Sequence, residues 1–120
     1  MDSTRLRKSS RSGRDFLGEF EQTVMLAVLQ LKDDAYGMTI RQEIESRTGR
    51  EVAVAAVYIT LDRLLAKQYV SATIGEPTKE RGGRAKRFYR VEGNGLQALR
   101  RTQEAMRNMA QGLSLVPEAT

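Results

Sequence analysis

Residues 75–90, GEPTKERGGRAKRFYR, place six basic side chains around the pair Gly82-Gly83 and just ahead of the adjacent aromatics Phe88-Tyr89. Cations at this density suit one task above others, the neutralisation of phosphates with release of their counterions. Glycines at the tip let a backbone follow a phosphate ridge closely. Lys79, Arg81, Arg84, Lys86 and Arg87 are therefore the candidate phosphate contacts. Phe88 or Tyr89 anchors the segment, because consecutive strand residues face opposite sides and only one needs to point inward.

A second candidate set lies at residues 53–68. At helical spacing Val54, Val57, Leu61, Leu64 and Leu65 share one sector and belong to a core. The opposite face carries Ala55, Ala56, Ile59, Arg63 and Lys67, with Tyr58 and Thr60 on the flanks, so its first two turns are small and nearly uncharged. Such a face is either a second packing contact or one shaped to enter a groove. In a groove, apolar side chains suit thymine methyls and Arg63 suits guanine. Arg63 has a rival role, pairing with an acid of the fold, and Tyr58 is either a phosphate contact or a core-edge tyrosine.

Other chemistry has few residues to work with. The 120-residue chain has no cysteine and no histidine. That removes disulfides, thiolate ligands, the usual zinc sets and the common nucleophile–base pairs. Asp33-Asp34 reads as a solvated turn rather than an acid pair. We expect no enzyme, no metal and no cofactor. The longest apolar run, near Val24 to Leu31, is about half of a membrane span, so the expected location is the cytoplasm.

The net charge of +5 is uneven: residues 1–14 and 75–90 each carry +4, while residues 15–74 carry −3. A polyanion meets the two basic segments first. The body that positions them reads as helices at DFLGEFEQTVMLAVLQL and AYGMTIRQEIESRTG, the latter ending at Gly49, then the helix over 53–68. A strand over YVSATI alternates Val70, Ala72 and Ile74 against Ser71 and Thr73. AKRFYRV is a second strand, so GEPTKERGGR is the loop of a β-hairpin. A last helix over 95–113 carries Leu96, Leu99, Gln103, Met106, Ala110 and Leu113 at spacings of three and four, a short seam with no evident partner within the chain.

Helix, helix, short turn, helix, strand, basic loop and strand is the order of a winged helix-turn-helix, whose third helix enters the major groove while the hairpin grips backbone beside it. The fold class expected is mainly α with a small β-hairpin, followed by a C-terminal dimerisation helix. The expected divisions are a basic arm (1–14), the DNA-binding domain (15–92), the dimerisation helix (93–113) and a tail (114–120). The alternative reading is a winged-helix module that binds an acidic protein partner. The arm, with Arg5, Arg7, Lys8, Arg11 and Arg14, lies either in a minor groove or in solvent.

Ala35-Tyr36-Gly37, Val57-Tyr58 with Thr60-Leu61-Asp62-Arg63-Leu64, and Gly82-Gly83-Arg84-Ala85-Lys86-Arg87 together resemble the PadR family of bacterial transcriptional regulators, over about Leu17 to Leu99. The resemblance implies a homodimeric repressor-like protein of the short branch, bound to double-stranded DNA. Its C-terminal helix packs on the partner's first helix, and two wings straddle a pseudo-palindromic site. Leu17, Phe20, Val24, Leu96, Leu99, Met106, Met109 and Leu113 are then the expected dimer contacts. A pore between subunits that accepts flat apolar compounds is also implied. Met25, Met106 and Met109 either line it or simply pack the dimer.

Two positions depart from the family pattern. Ala53 replaces the usual Ser or Thr ahead of the third helix, so a cap worth about 1 kcal/mol is missing and that start is expected to fray until DNA binds. VEGNG replaces Thr-Pro before the last helix, leaving Asn94 as its expected cap.

Overall fold

The computed structural model describes residues 16–75 and 85–115. Among the described residues, four helices and one antiparallel hairpin follow in the order α1 (Glu19–Leu31), a 3-10 turn (Lys32–Asp34), α2 (Gly37–Thr48), α3 (Val54–Ala66), β1 (Val70–Ile74), β2 (Arg87–Val91) and α4 (Gly93–Ala110). The arm over 1–14, the expected wing contacts Lys79, Arg81 and Arg84, and residues 116–120 of the tail lie outside the described residues.

Helix α1 starts where Gly18 gives its N–H to the Glu21 carboxylate, at 2.9 Å. Its core stripe is Val24, Ala27 and Val28, with Met25 beside them, all buried. Leu17 precedes the helix and is buried too. Helix α2 contributes Ile40 and Ile44 and ends at Gly49, whose φ of 73° lets its N–H reach the Glu45 carbonyl at 2.9 Å. Val57, Leu61 and Leu64 of α3 close the core. The other carboxylate oxygen of Glu21 accepts a hydrogen bond from Lys67 Nζ at 3.1 Å, tying the start of α1 to the end of α3.

The hairpin pairs Val70 with Val91, Ala72 with Tyr89 and Ile74 with Arg87. Alternation predicts Val70, Ala72 and Ile74 as one inward row, but burial declines along it from Val70 (3 % exposed) to Ile74 (68 %). The strand runs off the body, so its outer end has no core to face.

Helix α4 begins two residues earlier than its sequence pattern suggests. Its N-cap is Glu92, with no side-chain cap, and Asn94 falls inside the first turn. The backbone sets this start: Glu92 donates its N–H to the Tyr69 carbonyl at 2.8 Å. Gly95 lies so close to Tyr69, just ahead of β1, that an added Cβ would come within 2.2 Å of the Tyr69 carbonyl oxygen. Further along, Thr102 Oγ1 accepts the Leu17 N–H at 3.0 Å and donates to the Ala98 carbonyl at 2.9 Å.

Candidate nucleic-acid interface

The exposed face of α3 is built as its sequence suggests, with one exception. Ala55, Tyr58, Ile59 and Arg63 are exposed and Ala56 is half-buried. Thr60, a candidate contact by its flank position, is buried beside Leu61 and Leu64. The core wraps further round this helix than its apolar residues alone indicate, so Thr60 does not reach a groove.

The start of α3 has no side-chain cap at Ala53. The preceding turn is held from α2 instead. Glu45 accepts the Val52 N–H at 3.1 Å while Arg41 pairs with the same oxygen at 3.0 Å, and Thr48 Oγ1 accepts the Arg50 N–H at 3.1 Å. A carboxylate on a backbone donor one residue ahead of the N-cap offsets part of the missing cap.

The segment Ala35-Tyr36-Gly37, which precedes and opens α2, joins this helix to the wing. The Ala35 carbonyl accepts the Tyr89 N–H at 2.8 Å. The Tyr36 ring meets Phe88 edge-on, with centroids 5.4 Å apart and planes at 71°. Lys86 Nζ lies 4.3 Å from the centroid of the same ring. Tyr58 lies across Gly37, where a Cβ would fall 2.1 Å from its hydroxyl oxygen. Only glycine permits that approach.

Both wing aromatics therefore serve as anchors, on different partners. Tyr89 is buried, and burial pushes its phenol above the ordinary value while neighbouring Arg87 acts against the shift. Phe88 is half-buried against Tyr36. Gly75 makes room for it, since a Cβ there would meet the Phe88 ring at 2.7 Å. Arg87 and Arg90 are exposed and Lys86 is half-buried, all at the wing's base. Sequence reasoning did not assign Tyr36 or Gly37 a place in this surface. Their signal was the bulky aromatic next to a glycine at a helix start, which marks a close approach of something else.

The expected dimer contacts divide into three groups. Leu17, Val24 and Leu99 are buried within their own chain and are unavailable to a partner, and Met25 is buried as well and lines no opening. The stripe of α4 has no evident partner in sequence because nothing local says that its first half is buried against the body. Phe20 and Leu96 are half-buried. Met106 (62 % exposed), Met109 (78 %) and Leu113 (65 %) stand open. Around Met106 and Met109, with Gln22 and Leu115, is an open, mostly apolar groove of about 610 Å³.

Leu26 and Leu29 of α1, also exposed, were missed. They follow Gln22 by four and seven residues and so share its helix face. Two leucines outside the core stripe were the available signal. Among the described residues no helix is long and apolar enough to cross a membrane.

The family model of the transcriptional regulator PadR-like family matches residues 25–101. A comparison with the curated proteins gives no match. Among solved structures, a PadR family transcription regulator from Clostridium difficile R20291 superposes with a TM-score of 0.61 at 17% identity, covering 77% of this chain and 92% of its own. One from Eggerthella lenta DSM 2243 gives 0.60 at 20% identity, covering 91% and 82%. F93 from STIV, a winged-helix DNA-binding protein, gives 0.56 at 14% identity, covering 82% and 99%. At these identities the likeness is one of fold.

Proposed function

The chain belongs to the PadR-like family of transcriptional regulators, and on that premise we propose that it is a homodimeric, sequence-specific DNA-binding repressor acting at a pseudo-palindromic operator. The observation that carries this reading is the pairing of an exposed, nearly uncharged α3 face with a cationic wing, locked together through Ala35-Tyr36-Gly37. A small apolar helix face fits a major groove, and cations beside it grip the flanking phosphates. Residues 15–92 form the DNA-binding unit, 93–113 the dimerisation segment, and 1–14 and 114–120 the arm and tail.

Ala55, Ala56, Ile59 and Arg63 face base edges in this arrangement. Tyr58, Lys79, Arg81, Arg84, Lys86 and Arg87 contact backbone. The second copy of the chain covers Met106, Met109 and Leu113, and takes Leu26 and Leu29 of α1 as well. The exposure of these residues, and the apolar groove that Met106 and Met109 line, support that assignment. An apolar effector fits the same groove, between the subunits, and a thermal-shift screen with planar compounds on the purified dimer tests for one.

The experiment that decides the main reading is titration of promoter DNA fragments at several salt concentrations. A dimer that neutralises 6 to 10 phosphates loses about 10³ to 10⁵ in affinity between 50 and 200 mM salt. A shallow slope refutes DNA as the partner. Sequencing the genomic fragments that the protein retains then identifies the operator.

A further inference from the structure

We infer that Tyr36 is a positioning residue for DNA binding: the face of its ring holds the Lys86 ammonium at the wing base in readiness for a phosphate. The inference deepens the proposed DNA-binding function and rests on it. Lys86 Nζ sits 4.3 Å from the Tyr36 ring centroid, well inside the range over which a ring quadrupole attracts a cation. Phe88 packs against the ring in a T-shaped contact, and at the N-cap of α2 the Tyr36 backbone N–H is accepted by Thr39 Oγ1 at 3.0 Å.

An exposed lysine ordinarily gives up side-chain entropy when it settles on a phosphate. A ring beneath the ammonium takes up part of that ordering before DNA arrives. The same segment sets where this cation stands relative to the recognition helix. Ala35 holds the β2 backbone, and Gly37 receives Tyr58. Lys86 is thus placed at a fixed position beside α3.

The test uses the full-length protein and a labelled duplex of mixed sequence at low salt, which reads phosphate contacts without knowledge of the operator. Phenylalanine at position 36 keeps the ring, so Tyr36→Phe binds as wild type. Fluorinated phenylalanines at the same position keep size and fold while cancelling the negative face of the ring. Affinity falls stepwise with fluorine content, by roughly two- to fivefold per wing at full fluorination, the size of an exposed cation–π contact.

In a Lys86→Ala background the fluorines have no effect on binding, and Lys86→Ala alone lowers the salt slope by about 0.9 per wing. Because the T-shaped contact with Phe88 also depends on the ring's quadrupole, a purely structural role for Tyr36 predicts a trend that persists without Lys86. An unchanged affinity across the fluorine series, or an equal trend without Lys86, overturns the inference while leaving DNA binding in place. Failure of the wild-type protein to bind the duplex overturns both.

Discussion

The two halves of α4 carry the same apolar stripe and meet opposite fates. Gly95, Leu99 and Thr102 in the first half are buried against Tyr69, Leu17 and the core, whereas Met106 and Met109 continue that face into solvent. Spacing alone does not separate them. A helix that runs past its body keeps the pattern of a core element where it has no core, and the uncovered length is where we propose that the second copy binds.

Removing side chains from each half tests that contrast. Leu99→Ala cuts into the covered half and lowers protomer stability by about 2 to 5 kcal/mol, which urea unfolding at a fixed protein concentration measures. Thr102→Val leaves the buried Leu17 N–H without its acceptor and costs about 1 to 3 kcal/mol in the same measurement. Met106→Glu combined with Met109→Glu changes protomer stability least, by no more than about 0.5 kcal/mol, as expected of exposed positions. That double variant sediments as a monomer where the parent sediments as a dimer, and its thermal midpoint no longer rises with protein concentration. Equal destabilisation by both kinds of substitution erases the distinction between the halves.

The exposed side of α3 shows a similar division between what is local and what is not. Ala55, Ile59 and Arg63 were legible as one exposed face because helical geometry fixes their directions. Thr60 was not, since its burial depends on how far neighbouring elements wrap round α3. The missing cap at Ala53 was visible in the chain, but its partial replacement by Glu45 was not. Residues on different helices meet there, and no spacing rule connects them.

Element order, the apolar faces, the Gly49 stop and the cationic loop were all determined by the sequence itself, because side-chain periodicity, glycine's left-handed freedom and charge are properties of short stretches. Only the tertiary structure decided which apolar faces the chain covers for itself, leaving Leu26, Leu29, Met106 and Met109 open while Leu17, Val24 and Leu99 are enclosed. It also decided that Tyr36, Phe88 and Lys86 meet, for a contact between distant segments exists only once the helices and hairpin have packed.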